Sequence, residues 1–116
     1  MRKPYNPAIE CKDGFTMSVQ ARDSAYCLPR EDYPDTPYTH VECGFPSSTP
    51  ITEALREYAE CVISDMNYTD TVYGYVPIEV VQAELDAHGG ISNGCMPSNE
   101  LTKEALADNY FHDYPE

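Results

Sequence analysis

The chain has 116 residues, enough for one domain, and its 20 acidic and 7 basic residues give a formal net charge of −13. This charge repels phosphate backbones, so direct nucleic-acid binding is not expected. The sequence contains no apolar run long enough for a transmembrane helix, and its N-terminus lacks the apolar stretch of a secretory signal. A single domain over residues 1–116 is predicted, with no membrane segment.

The N-terminal half is predicted to contribute an arm and two strands. Residues 1–12 include two prolines and are expected to form an extended arm. Apolar and polar residues alternate over 14–21, which predicts a half-buried strand. A second strand is predicted over 38–45, with one face formed by Thr39, Val41, Cys43 and Phe45.

A long loop, residues 22–37, separates these two strands. It contains three prolines, which lower the entropy lost on ordering, and it lies where the charge of the chain changes sign. We therefore expect the loop to be ordered, partly by pairs among its charged residues, and to belong to a recognition surface.

A helix is predicted to follow the second strand. Thr49 is the expected N-cap, Pro50 occupies the first turn, and the helix should end near 64–65. Its buried stripe is predicted to comprise Ile51, Leu55, Tyr58, Ala59 and Val62, and its outer face Glu53, Glu57 and Glu60.

The C-terminal half is predicted to hold a strand over 71–76, a helix from Pro77 to His88 that ends at Gly89–Gly90, and a short helix over 99–107. Residues 108–116 are expected to be a flexible tail. The resulting order, ββαβα plus a C-terminal helix, predicts an α+β fold with about three antiparallel strands and two helices on one face.

The cysteines and histidines do not form a recognisable motif. Five cysteines, an odd number, are spaced without a CxxC pair, and the three histidines lack metal-ligand spacing. Free thiols are predicted, no metal or other cofactor is expected, and Glu84 and Asp86 should be solvated. An enzyme that uses Cys27 or Cys43 with a histidine stays a remote alternative.

Aromatic and arginine residues suggest a second kind of site. Strand periodicity places Tyr73 and Tyr75 on the face opposite the valines of their strand, and Tyr38 and His40 take the same position on the preceding strand. A small anionic ligand, such as a nucleotide signal, would then contact Arg22, Arg30, Tyr26, Tyr73 and Tyr75. The opposite interpretation is that the C-terminal segment covers this face and the arginines pair with nearby acids.

Charge is the strongest functional signal. Residues 1–30 carry a net charge of +2 and residues 31–116 a net charge of −15. This asymmetry favours a basic partner, although it would also serve solubility alone. The predicted partner-binding residues are Glu31, Asp32, Asp35, Glu53, Glu57, Glu60, Asp65, Asp70, Glu79 and Asp86.

Several segments resemble small accessory proteins of tailed bacteriophages: residues 16–21, 26–30, 38–47, 71–77 and 88–90. The resemblance spans about residues 10–90 and implies a non-virion protein in the bacterial cytoplasm, in a group that includes anti-CRISPR and anti-restriction inhibitors. The expected function is therefore non-enzymatic inhibition of a host protein with a basic nucleic-acid-binding surface, by a monomer or homodimer whose acidic surface mimics nucleic acid. The alternative is a protein that binds or sequesters a small nucleotide.

Overall fold

A computed structural model describes residues 3–60 and 67–100. Over these residues the fold is α+β, as predicted. The strands are β1 (Ile9–Cys11), β2 (Thr16–Gln20), β3 (His40–Gly44), β4 (Val72–Pro77) and β5 (Ile91–Asn93), and the helices are α1 (Glu53–Arg56) and α2 (Ile78–Ala87).

The strands form one antiparallel sheet in the order β4-β3-β2-β1-β5, so the sheet has five strands rather than about three. The N-terminal segment expected as an arm contributes β1, whose Ile9 and Cys11 are buried. The two added strands are three residues long, too short for a periodicity of two to identify them. The predicted C-terminal helix and tail lie almost entirely outside the described residues.

One face of the sheet carries the main core. Met17 and Val19 of β2 and Val41 and Cys43 of β3 are fully buried, as their alternation predicted. The core also includes Leu55 of α1 and Val81 and Leu85 of α2. Phe45, predicted to share this face, is 58% exposed, because the strand ends at Gly44 and a φ of 50° redirects the chain.

The second face of the sheet is covered by the N-terminal segment and the 22–37 loop. Gln20 hydrogen-bonds to the backbone of Asn6, and the hydroxyl of buried Tyr38 donates to the carbonyls of Glu31 and Asp32. Ala25 and Cys27 of the loop are buried. The loop thus packs against the second face of the sheet, with the Asp23 N–H bonded to Asp32 and Arg30 bonded to the Asp23 carbonyl.

The first helix differs most from its prediction. α1 has four residues and is capped by Thr52, whose hydroxyl accepts the Leu55 N–H, rather than by Thr49. Ile51, assigned to the buried stripe, is 55% exposed. After α1 the chain turns, and the Glu60 N–H donates to the Val72 carbonyl at the outer edge of β4. This pairing with β4 replaces the predicted continuation of the helix over the described residues.

The second helix matches its prediction closely. It begins directly after Pro77 and is closed by Gly89, which has a φ of 90° and donates its N–H to the Asp86 carbonyl. Val81 and Leu85 face the core, as predicted, but Glu84 is also fully buried rather than solvated.

Candidate functional site

The predicted acidic residues are at the surface wherever the structure describes them. Asp32 is half-buried, and its Oδ1 accepts the Asp23 N–H at 3.0 Å. Asp65 lies outside the described residues. The remaining side chains of the set are exposed: Glu31, Asp35, Glu53, Glu57, Glu60, Asp70, Glu79 and Asp86.

These acids do not form a stripe along one long helix. Glu53 lies in α1 and Glu57 is its C-cap, whereas Glu60 lies beside β4 and Glu79 and Asp86 lie on α2. α1 and α2 contact each other, so their acids belong to one part of the molecule. Glu60 belongs to a different part, next to Gly74 and Tyr26.

Lys3, Arg22, Arg30 and Arg56 contact backbone oxygens or aromatic rings, whereas Lys12 is exposed. Nζ of buried Lys3 lies 2.8 Å from the carbonyl oxygens of both Ala21 and Ser98 and 4.4 Å from the centroid of the Tyr38 ring. Burial lowers the pKa of Lys3 to about 8.

The arginines follow the same pattern. Arg56 donates to the carbonyls of Pro50 and Ile51, and Arg30 donates to the carbonyl of Asp23. The guanidinium of Arg22 lies 3.3 Å from the centroid of the Tyr5 ring. One interpretation of the sequence pairs Arg22 and Arg30 with nearby acids. Instead, within the described ranges, the ion pairs are those of His88.

The alternative ligand site is assembled only in part. Tyr26 and Tyr75 stack with ring centroids 5.7 Å apart, and Arg30 lies 5.4 Å from the centroid of Tyr26. Tyr73 is fully buried in the core, where its hydroxyl donates to the Tyr68 carbonyl, and Arg22 packs on Tyr5 instead.

A β-bulge explains why Tyr73 and Tyr75 separate. Val41 pairs with Val76 and Cys43 pairs with Tyr73, so β4 has one more residue than β3 between these pairs. The extra residue places Tyr73 and Val76 on the core side, and Tyr75 takes a φ of 52° and becomes 40% exposed.

Two carboxylates flank this bulge. Glu42, in β3 opposite the bulge, accepts the Tyr26 N–H through Oε2 at 3.3 Å. An Oε2 atom of Glu60 lies 2.7 Å from the position that a Cβ on Gly74 would occupy. The exposed tyrosine pair is therefore bordered by negative charge.

A constellation that the sequence did not predict joins buried Glu84 and His88 to exposed Asp13. The His88 ring stacks on Phe15 with centroids 3.7 Å apart. Its Nδ1 lies 2.7 Å from Oδ2 of Asp13, and its Nε2 lies 2.7 Å from Oε2 of Glu84. Only the four-residue spacing of Glu84 and His88 in one helix hinted at this contact; Asp13 is 75 residues away.

The hydrogen bonds of the two carboxylates determine the direction in which their pKa values shift. Burial acts to raise the pKa of Glu84, but donors from Thr52, Ile51 and His88 outweigh it and hold the pKa below its usual range. The Phe15 N–H, followed by His88, lowers the pKa of Asp13. The His88 ring lies between the two carboxylates and serves as a structural link between them.

The buried thiols are in surroundings that disfavour the thiolate. Burial raises the pKa of Cys11, Cys27 and Cys43. Cys27 contacts the carbonyls of Arg22 and Pro29, and Cys11 contacts that of Leu85.

Comparison with known proteins gives no match among family models, curated proteins or solved structures. Within residues 3–60 and 67–100, no helix has the length and apolar character needed to cross a bilayer.

Proposed function

We propose that this chain is a non-enzymatic inhibitor that binds a host nucleic-acid-handling protein and blocks its basic surface. The phage resemblance of its segments suggests a defence protein as the target, as for anti-CRISPR proteins. Nucleic acid and inhibitor would compete for the same basic channel, since both are polyanions.

The observation that carries the proposal is the separation of charges. Arg30 and Arg56 donate to backbone carbonyls, and Lys3 does so in the interior. The carboxylates at the surface are consequently not neutralised by these cations. Such an exterior projects a strongly negative field toward a partner.

Affinity capture followed by competition tests the proposal. The full chain is immobilised and exposed to a nuclease-treated bacterial lysate, and each captured protein is assayed for binding to duplex DNA with and without the free chain. We expect a captured protein whose DNA binding the chain inhibits, with inhibition that falls steeply as NaCl is raised. Capture without displacement of nucleic acid would contradict the mechanism.

Charge reversal identifies the acids responsible. Glu53→Lys with Glu57→Lys should weaken inhibition at least about tenfold, since each reversal places a like charge against a basic surface. The matched control, Glu10→Lys with Glu100→Lys, makes the same change in net charge at exposed positions outside the predicted set. Equal losses in the two double variants would exclude a local role for the acids of α1.

The stack of Arg30, Tyr26 and Tyr75 favours a second candidate, binding of a small nucleotide. Glu42 and Glu60 oppose an anionic ligand there, which makes this the weaker proposal. Melting temperatures measured with ATP and with a cyclic dinucleotide test it. A rise that Arg30→Gln abolishes would support it, and unchanged melting would reject it.

A further inference from the structure

We propose that the exposed tyrosine pair and its two flanking carboxylates form a socket for an arginine side chain of the protein partner. The socket comprises Tyr26, Tyr75, Glu42 and Glu60, arranged around Gly74. This inference rests on the proposed function and specifies which group of the basic partner is recognised.

The bulge in β4 builds the aromatic part of the socket. Tyr75, with its φ of 52°, donates its N–H to the Tyr26 carbonyl at 2.9 Å. The two rings lie at 26° to each other and stay 39% and 40% exposed. A left-handed backbone at a residue other than glycine costs free energy, yet here it presents a large side chain to solvent. An exposed aromatic side chain presented in this way suits an interface, where tyrosine is enriched.

The carboxylates determine the charge of the ligand. The Glu42 carboxylate accepts the Tyr26 N–H and the Glu60 carboxylate lies beside Gly74, so two negative charges adjoin the backbone that carries the rings. Arg30, whose guanidinium lies over the Tyr26 ring at 5.4 Å from its centroid, supplies one positive charge. The remaining charge is negative, and the faces of the tyrosine rings are also negative. A cation is therefore the complementary ligand.

Arginine fits this arrangement better than lysine. A planar guanidinium stacks on an aromatic ring and donates in a fork to a carboxylate, whereas an ammonium group is a strongly hydrated point charge. The protein itself uses this geometry, with Arg22 and Arg30 placed on Tyr5 and Tyr26. Arginine and tyrosine are also the residues that most often dominate binding energy at interfaces.

Peptide titration tests the socket. Octa-arginine and octa-lysine, of equal length and charge, are titrated into the ¹⁵N-labelled full chain. We expect stronger binding of octa-arginine and amide shifts centred on Tyr26, Gly74 and Tyr75. Equal affinity for the two peptides, or shifts spread over the whole acidic surface, would overturn the proposal.

Paired variants localise the effect. Tyr75→Ala should weaken octa-arginine binding roughly tenfold, in keeping with the loss of a desolvated cation–π contact. Its control is Phe45→Ala, which removes another exposed aromatic residue with positive φ, located at the end of β3. Glu60→Gln removes charge while keeping shape, and its control is Glu100→Gln, an exposed acid outside the predicted binding set. Losses as large in the controls would refute the socket.

Gly74→Ala provides a variant that keeps all four socket side chains. The added Cβ would displace the end of Glu60, a flexible side chain, and press on Cβ of Tyr26 at 3.3 Å. Reduced arginine preference with an otherwise unchanged spectrum is expected. Suppose that the wild-type chain displaces DNA from the captured protein, and that Tyr75→Ala and Gly74→Ala bind both peptides as the wild type does. The socket is then wrong and the proposed function stands. If arginine preference depends on the socket but DNA is not displaced, the proposed function fails and the socket stands.

Discussion

The Glu84 side chain determines how two helices meet. It lies in α2, and its Oε1 accepts the N–H and hydroxyl of Thr52 at the start of α1, at 2.9 and 2.8 Å. Its Oε2 accepts the Ile51 N–H at 2.8 Å and lies 2.7 Å from Nε2 of His88. These donors supply the solvation that the carboxylate loses on burial.

Glu84→Gln should therefore destabilise the fold strongly. The amide group places N–H donors where acceptors are required and leaves the His88 ring with one carboxylate partner. We expect a loss of about 3 kcal/mol in the free energy of unfolding by urea titration. Glu79→Gln, an exposed change in the same helix, should cost less than about 0.5 kcal/mol. Equal effects would show that the buried network contributes little.

The same constellation predicts acid sensitivity. The pKa values of Asp13 and Glu84 are lowered on folding, so their stabilisation is complete above the unfolded values, near 4, and is lost as pH falls through the folded values. The stability difference between wild type and Asp13→Asn, measured by urea denaturation, should thus shrink below about pH 4. A difference that stays constant down to pH 2 would contradict this assignment.

At the scale of elements, Tyr73 and Tyr75 share the alternation of β4, yet Tyr73 is fully buried and Tyr75 is 40% exposed. Tyr73→Ala should cost about 3–5 kcal/mol, because it empties a fully buried site. Tyr75→Ala should cost under about 1 kcal/mol, since its ring is partly solvated and its backbone is already unfavourable for tyrosine. Denaturation curves of the two variants provide the measurement, and similar losses would argue against the bulge.

The elements that local signals define were predictable. Pro77 and Gly89 delimit α2, and the alternation around Val19 and Val41 identifies β2 and β3. The bulge was not predictable, because one extra residue in a strand does not change the residue types by which a strand is recognised. α1 starts late where Thr52 contacts Glu84 and ends early where Glu60 pairs with Val72, and contacts between distant residues cannot be derived from periodicity. The contact between Asp13 and His88 could not be predicted for the same reason, since 75 residues separate them.

At the scale of the whole molecule, a net charge of −13 opposes compaction. Added salt screens this repulsion, so the melting temperature should rise between about 10 and 300 mM NaCl, where the Debye length falls from about 30 to below 8 Å. Binding to a basic partner should weaken over the same range. Thermal scans and binding titrations in one buffer series would check both trends, and a melting temperature that falls with salt would mean that attractive pairs dominate.

The reactivity of the Lys3 amine can report detachment of the N-terminal segment from the sheet. This amine donates to the carbonyls of Ala21, directly after β2, and of Ser98, near the other end of the described chain, and it is shielded from solvent. An acylating reagent can reach this amine only after both carbonyls release it, whereas exposed Lys12 reacts without any opening. The ratio of acylation rates at these two lysines therefore reports how often the N-terminal segment detaches from the sheet.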